Sequence, residues 1–348
     1  MNTVMDATWY DLNNGRAVPR VVEVDRQVLP RPWDEFCLEN RIRLHAVIGY
    51  ENEVKNIKVW PAGGIIARGI ERGEYLSTDT IVESTSGNFG EGLAWVVERL
   101  LVLAPDFPIK RVLAVVPRSL QPGKIARLRA NKRIELEFAD NAVHAMKWAE
   151  DLARRHGYWY TQQYWNPDNP DSYMDIGTEI ARQLPELGIL VCGVGSGGTF
   201  SGTVLSLKEA FKNRARPHRL HCVAVAVEPY GSVGGVRTEI GLHLGGKPGL
   251  PWRMLADDVN YVGLHESLTF SAALWQHAPD DPGKKIIGGE STGFALAGGL
   301  LSVLSLKFRG KLDSVRNESG EVVLAFVAPD TYGPYREDYE AAGIVFPG

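Results

Sequence analysis

The feature that most constrains the fold of this chain is a repeated alternation between short apolar runs and longer segments of helical periodicity. The apolar runs are rich in Val, Ile and Leu with little polar alternation, as expected for parallel strands that are covered on both faces. They lie at residues 43–48, 80–83, 111–116, 133–138, 189–194, 219–227 and 321–327. The helical segments lie at residues 62–73, 90–103, 121–130, 142–156, 175–184, 199–212, 265–275 and 292–307. This order predicts an α/β fold built on mostly parallel sheets.

The composition is that of an ordinary folded protein, with 348 residues, 44% hydrophobic and 23% charged side chains. At about 100–200 residues per domain, this length predicts two domains or one large unit. The net charge of -4 provides no basic surface for nucleic acid. The apolar runs are shorter than the ~20 residues that span a bilayer, and the first residues lack a secretory pattern. We therefore expect a cytoplasmic protein that binds neither nucleic acid nor membranes.

The cysteines predict neither a metal site nor a disulfide framework. Cys37, Cys192 and Cys222 are far apart in the chain and form no CxxC pair. We expect all three to be small buried side chains. A different kind of segment, residues 231–253, is rich in Gly and Pro and has little periodicity. It predicts a long functional or domain-joining loop.

A glycine-rich stretch follows the apolar run at 189–194 and precedes a helical segment. Glycines let the backbone approach an anion, and the free N–H groups of a helix start can bind phosphate. The spacing of Gly193, Gly195 and Gly198 also fits the GxGxxG pattern of nicotinamide sites, with Glu228 placed to bind ribose hydroxyls. A structural turn without a ligand is the third interpretation.

A second loop, Thr85-Ser86-Gly87-Asn88, also lies between an apolar run and a helical segment. Hydroxyls, an amide and a glycine at a helix start can hold a carboxylate or a phosphate. The same residue types are preferred helix caps, so a simple capping turn is the alternative. Two anion-binding loops in one α/β chain favour a ligand with two anionic ends.

Together with an upstream lysine, the loops Thr85-Ser86-Gly87-Asn88-x-Gly90 and Gly195-Ser196-Gly197-Gly198-Thr199 resemble those of a known enzyme family. That family is the pyridoxal-phosphate-dependent cysteine synthase and cystathionine β-synthase family, and the resemblance covers about residues 43–335. It implies an α/β, two-domain tryptophan synthase β-like fold (fold type II), with a mostly parallel sheet flanked by helices in each domain. Residues 52–161 would form a smaller mobile domain, and residues 1–51 plus 162–348 a larger domain with the phosphate loop.

Further stretches fit the same family. Gln162-Gln163-Tyr164-Trp165-Asn166-Pro167 resembles its Gln-Gln-Phe-x-Asn-Pro, and Gly289-Glu290-Ser291-Thr292-Gly293 resembles its Gly-Ile-Ser-Ser-Gly. Pro329-Asp330-Thr331 resembles its Pro-Asp-Ser after the last strand. Several positions depart from the pattern, among them Trp60, Phe89 and Glu290. These departures leave the leaving group and the nucleophile open.

The resemblance implies pyridoxal 5'-phosphate as cofactor and Lys58 as the catalytic residue that forms its Schiff base. Lys58 keeps the neighbouring motifs in register, whereas Lys55 would require a gap, and Val59-Trp60 replaces the family's Asp-Arg. The other implied cofactor contacts are Asn88, Gly195, Ser196, Gly197, Gly198, Thr199, Gly289 and Thr331. The implied contacts to the substrate carboxylate are Thr85, Ser86, Gly87, Asn88 and Gln163. No metal is implied.

The implied activity is β-replacement on an O-activated serine, which forms cysteine or a β-substituted alanine through an aminoacrylate. A neutral Thr331 at the pyridine nitrogen makes the cofactor a weaker electron sink, which suits loss of a β-substituent better than transamination. The expected partners are an amino-acid substrate, a nucleophilic co-substrate and a second copy in a homodimer. The alternatives are β-elimination alone, a cofactor-binding regulatory subunit and a nicotinamide-dependent oxidoreductase.

Overall fold

The computed structural model describes residues 19–212, 218–227, 231–237, 244, 247–277 and 281–346. Its strands form a six-stranded sheet of order β1-β2-β10-β7-β8-β9 and a four-stranded sheet of order β5-β4-β3-β6. The strands are β1 Arg20–Val24, β2 Ile42–Ile48, β3 Thr80–Ser84, β4 Arg111–Pro117, β5 Ile134–Ala139, β6 Trp159–Tyr160, β7 Ile189–Gly193, β8 His221–Ala226, β9 Asp258–Tyr261 and β10 Val322–Ala328. Strand β1 pairs antiparallel with β2, and the other recorded pairs are parallel.

Helices connect the strands and cover both sheets. They are α1 Trp33–Glu39, α2 Val59–Glu71, α3 Asn88–Leu103, α4 Pro122–Ala130, α5 Ala142–His156, α6 Asp168–Asp171, α7 Met174–Gln183, α8 Gly198–Lys212, α9 Trp252–Leu255, α10 Leu264–Gln276, α11 Glu290–Phe308 and α12 Arg336–Ala341. Each strand and helix predicted from the alternation is present, with ends that shift by a few residues. The strands that the pattern missed are β1, β6 and β9.

The missed strands lie at the edges of the two sheets. Strands β1, β6 and β9 are the last members of their sheets, so each has only one strand neighbour. Strand β6 has two residues, and β9 reads Asp-Val-Asn-Tyr and is only partly buried. An edge strand has less need of apolar side chains than a strand covered on both faces, so its sequence gives a weaker signal.

The four-stranded sheet places the first anion-binding loop. Strand β3 is buried along its whole length, as its run of β-branched residues predicted. Gly87 follows it with a φ of 111°, which a residue with a side chain rarely adopts. Helix α3 then begins at Asn88. The loop therefore lies at the carboxyl end of a central strand, the edge of a parallel sheet at which ligands usually bind.

The six-stranded sheet is built around β10 and the buried helix α11. This 19-residue helix is long and apolar enough to cross a membrane by length and composition, but 72% of its most apolar window is buried inside the protein. It packs on β7, β8 and β10. Its apolar character is therefore that of a helix in a protein core.

The three cysteines are free and buried, which confirms the prediction made for them. Cys192 lies on β7 and Cys222 on β8, so both belong to the core of the six-stranded sheet. Within the described ranges, no group of three or more His, Cys, Asp or Glu side chains is placed to hold a metal ion.

Candidate active site

The two predicted loops face one cavity in the cleft between the sheets. The cavity is partly open to solvent and is lined by backbone and side-chain groups from both sheets. Its lining includes residues predicted from sequence on both sides: Lys58, Thr85, Ser86, Asn88, Gln163, Gly195, Ser196 and Thr199. The fold thus brings together groups that are far apart in the chain.

The remaining predicted residues are not part of the cavity lining within the described ranges: Gly87, Gly197, Gly198, Gly289 and Thr331. Most are glycines that let other groups approach the backbone. A Cβ at Gly198 would lie 2.0 Å from Asn169 Oδ1, and one at Gly197 would lie 2.4 Å from Trp252. Gly197 also has a φ of 93°. These positions shape the glycine loop without pointing a side chain at a ligand.

Lys58 lies immediately before α2, with its Nζ 3.5 Å from Thr199 Oγ1 of the glycine loop. Its backbone N–H donates to Asn56 Oδ1 at 2.9 Å, which fixes the chain at this point. Loss of solvation lowers the pKa of Lys58 to about 8, and the Asp330 carboxylate partly opposes that shift. By contrast, Lys55 is exposed and does not line the cavity among the described residues.

The replacement of the family's Asp-Arg by Val59-Trp60 has a clear structural result. Both side chains are buried and belong to the apolar cluster beside the six-stranded sheet. Lys58 is therefore held by the packing of Val59 and Trp60 and by its hydrogen bond to Asn56. In the family, positions 59 and 60 carry charged residues instead. Trp60 points into the core and is not in the cavity lining given for the described residues.

The first loop combines a helix cap with free donors. Thr85 Oγ1 accepts hydrogen bonds from the N–H groups of Gly87 at 3.0 Å and Gly90 at 3.2 Å, so the capping interpretation holds for this residue. Ser86 and Asn88 line the cavity. Gln163 Nε2 donates to the Ser84 carbonyl at 2.7 Å, which ties it to the end of β3. Hydroxyl and amide groups are uncharged donors that can bind a carboxylate through hydrogen bonds.

Beneath this loop lies a buried carboxyl group that the sequence motifs did not predict. Glu83 Oε2 accepts hydrogen bonds from Thr161 Oγ1 at 2.6 Å and from the Gln163 N–H at 3.3 Å. Burial raises the pKa of Glu83 to about 8, because a carboxylate loses its hydration there. Glu83 therefore positions the backbone of Gln163 from a protonated, uncharged side chain at neutral pH.

The glycine loop leads into the amino terminus of the 15-residue helix α8. Asn169 Nδ2 supports the loop from below, donating to the Gln163 carbonyl at 2.6 Å and to Ser196 Oγ at 3.4 Å. A Cβ at Gly195 would have no neighbour closer than 3.9 Å, so the space above that residue is open. Exposed N–H groups at the start of a helix make this a phosphate-binding arrangement.

A second buried lysine, Lys124 on α4, also lines the cavity and was missed from sequence. Its Nζ donates to the Gly234 carbonyl at 3.0 Å. Glu290 Oε2 accepts from the Gly234 N–H at 2.6 Å, so the unusual Glu290 anchors the same loop. Residues 231–237 are one described part of the predicted long loop, and they close one side of the cavity.

Asp330 lies at the base of this region. Its Oδ2 accepts from Asn88 Nδ2 at 2.7 Å and contacts the Tyr335 hydroxyl, whereas its Oδ1 has no hydrogen-bond partner among the described residues. Thr331 is only half-buried, and its backbone forms a β-bridge with Gly288. Asp330 therefore approaches the cavity groups more closely than Thr331 does, and the role predicted for Thr331 stays a prediction.

These residues fit a cofactor with a phosphate and a carbonyl group. A glycine loop suited to a phosphate and a buried lysine amine of lowered pKa line the same cavity. The fold and the site are those of an α/β class of protein in which a buried lysine and a glycine loop line one cavity. The sequence matches the pyridoxal-phosphate dependent enzyme family over residues 50–315, and the chain belongs to this family. The glycine loop is thereby explained without a nicotinamide, and Glu228 lies outside the described residues.

Curated relatives include cysteine synthases. The Staphylococcus aureus enzyme is 30% identical over 199 residues, which are 56% of this chain and 59% of that protein. The Helicobacter pylori enzyme is 34% identical over 173 residues, which are 49% of this chain and 52% of that protein. The matched region therefore spans little more than half the length of these relatives.

Solved structures share the fold over nearly the whole chain. An O-acetylserine dependent cystathionine beta-synthase from Helicobacter pylori has a TM-score of 0.73 at 21% identity, covering 96% of this chain and 98% of that one. O-ureido-L-serine synthase has a TM-score of 0.73 at 20% identity, covering 97% and 96%. The tryptophan synthase β-like fold, fold type II, expected from the motifs is confirmed.

Proposed function

We propose that this protein catalyses pyridoxal-phosphate-dependent β-replacement on an O-activated serine. The observation that supports it most directly is the single cavity that joins the Lys58 amine, the glycine loop and the uncharged donors of the first loop. The names of its relatives agree, since cysteine synthases, an O-acetylserine dependent synthase and an O-ureido-L-serine synthase are among them.

The site residues have distinct roles in this proposal. The backbone N–H groups of residues 195–199 hold the cofactor phosphate, and Lys58 holds its carbonyl carbon. Thr85, Ser86, Asn88 and Gln163 orient the substrate carboxylate. When bound, pyridoxal phosphate supplies an electron-withdrawing ring that stabilises negative charge at the substrate α-carbon.

The amino group of the substrate would displace Lys58 from that carbon, and the freed Lys58 amine would then act as the base for the α-proton. Its pKa of about 8 leaves a useful fraction of neutral amine at physiological pH. Loss of that proton is coupled to cleavage of the bond between Cβ and oxygen, with the electron pair leaving on oxygen. The nucleophile forms a new bond to Cβ and releases its own proton, so the product is a β-substituted alanine.

We further infer that residues 52–161 form the mobile domain and that residues 1–51 plus 162–348 form the larger one. The four-stranded sheet, which bears the first loop, lies within residues 80–160, and this supports the division. Inward rotation of that domain would gather its donors around the substrate carboxylate. Homodimeric assembly and a cytoplasmic location remain predictions from the sequence.

The test uses the purified protein with bound cofactor. Addition of O-acetyl-L-serine or O-phospho-L-serine is expected to change the absorbance band of the cofactor, and a thiol should then yield an S-substituted cysteine by mass spectrometry. Pyruvate formed without use of the thiol would instead identify β-elimination. A stable yellow protein that responds to neither serine ester would refute the proposal and favour a regulatory subunit.

A further inference from the structure

Lys124 is a second lysine in the wall of the candidate active site, apart from Lys58. It lies on α4 and is only 2% exposed, which is rare for a lysine without a carboxylate partner. Its side chain runs between two glycines. A Cβ at Gly87 would lie 3.2 Å from Lys124 Cδ, and one at Gly235 would lie 2.9 Å from Nζ. The space that the Lys124 side chain occupies therefore depends on glycine in both the loop at 85–88 and the loop at 231–237.

The ammonium group of Lys124 has unused hydrogen-bonding capacity. Its recorded hydrogen bond is to the Gly234 carbonyl at 3.0 Å, and its Nζ lies 4.6 Å from the centre of the Tyr335 ring. No salt bridge to Lys124 is recorded in the part of the chain that the structure describes. An ammonium has three N–H donors, so this one has donors left for a ligand.

The nearby carboxyl groups are engaged elsewhere. Glu91 Oε1 lies 2.9 Å from Arg127 Nε in a salt bridge. Asp330 accepts from Asn88 and contacts Tyr335. Glu290 Oε2 accepts from the Gly234 N–H, and burial raises the pKa of Glu290 well above its usual value. Burial lowers the pKa of Lys124, and the charges of these carboxyl groups oppose that shift without a salt bridge to Lys124 in the described part of the chain.

The predicted donors for the substrate α-carboxylate are all uncharged, whereas Lys124 adds a buried positive charge beside them. We propose that Lys124 is a specificity residue that binds a second anionic group of the reactants, beyond the α-carboxylate. This inference rests on the proposed function, because it places a reacting amino acid in the cavity. The group would be either a phosphate on the serine oxygen or an acidic group on the nucleophile.

The experiment compares the holoenzyme with Lys124→Met, which keeps an unbranched side chain one atom shorter and removes its charge. Lys132→Met is the matched control, because Lys132 lies just after the same helix and is exposed. Binding is measured as the concentration of O-phospho-L-serine or O-acetyl-L-serine that gives half of the maximal rise in melting temperature. Turnover is measured separately by mass spectrometry, with mercaptoacetate or 2-mercaptoethanol as the nucleophile.

Lys124→Met is expected to weaken binding of the charged reactant by about 10- to 100-fold, as for loss of a charged hydrogen bond. Binding of the neutral reactants, O-acetyl-L-serine and 2-mercaptoethanol, should change by less than about threefold. If only binding of O-phospho-L-serine weakens, the group that Lys124 binds is the phosphate on the serine oxygen. If only the KM for mercaptoacetate rises, that group is the acidic group on the nucleophile. Lys132→Met should leave both unchanged.

Equal weakening of charged and neutral reactants would overturn the inference, because it would show that Lys124 only anchors the loop at Gly234. No change with any reactant would overturn it as well. If Lys124→Met weakens binding of the charged reactants alone but no protein forms product, the inference holds and the proposed function is refuted. Product formation that is indifferent to Lys124→Met would refute the inference alone.

Discussion

Replacing Glu83 with Gln tests whether a buried carboxyl group beneath the substrate loop keeps a proton at neutral pH. Glu83 is fully buried, and its Oε2 accepts hydrogen bonds from Thr161 and Gln163. Its Oε1 has no hydrogen-bond partner among the described residues. Burial raises the pKa of Glu83 from 4.5 to about 8, and the hydrogen bonds that its carboxyl group accepts only partly oppose that shift.

The size of the effect follows from this shift. Between pH 4.5 and about 8, the folded protein keeps the Glu83 proton and the unfolded chain has released it. The unfolded state then binds fewer protons, so stability falls as pH rises, by about 1.4 kcal/mol per pH unit. The accumulated loss reaches roughly 5 kcal/mol near the upper end of the window and is constant above it. Gln has no proton to release, so Glu83→Gln removes this slope while keeping an oxygen that can accept from Thr161.

The assay is urea unfolding of both proteins, followed by far-ultraviolet circular dichroism from about pH 5 to about pH 9. The other titrating groups cancel in the difference between the two unfolding free energies. That difference should shift in favour of the variant by about 1.4 kcal/mol per pH unit and level off near pH 8. The exposed Glu98 provides a control variant, Glu98→Gln. Parallel curves for wild type and Glu83→Gln would refute the reasoning.

The remaining predictions concern the proposed roles of the site residues. Lys58→Ala should lose the absorbance band of bound cofactor and Lys55→Ala should keep it, because Lys58 lines the cavity and Lys55 is exposed. Absorbance spectra of the two purified variants test this prediction. The reverse pattern would show that Lys55 binds the cofactor. Ser86→Ala should raise the O-acetyl-L-serine concentration at half-maximal absorbance change about tenfold, through loss of one hydrogen bond to a charged group. Its affinity for the cofactor should stay unchanged, and equal loss of both would contradict the assignment. Thr331→Ser should leave the rate of β-leaving-group loss unchanged, and Thr331→Asp should slow it. The rate is measured as release of acetate from O-acetyl-L-serine. A larger effect of Asp330→Asn would show that Asp330, not Thr331, contacts the pyridine nitrogen of the cofactor.

The sequence by itself determined most of the strands, the longer helices and the two loops. Apolar runs without alternation predicted strands such as β3 and β10, because strands covered on both faces need apolar side chains throughout. The loops at 85–88 and 195–199 were visible because glycines and capping residues act on the backbone within a few positions of themselves. The register of the motifs also selected Lys58 over Lys55, and the structure places Lys58, not Lys55, in the described cavity lining.

Tertiary structure decided the surroundings of these groups. Lys124 meets a carbonyl 110 residues away, and Asn88 meets Asp330 across 242 residues. In sequence, Lys124 resembles a solvated surface charge, since most lysines are exposed. Its burial depends on how the loop at 231–237 packs against the loop at 85–88, which no local preference specifies. The same holds for Glu83, whose raised pKa comes from the packing of sheet and loop around it. Local backbone preferences are set by neighbours in the chain, whereas burial and charge environment are set by contacts that exist only after the sheets have packed together.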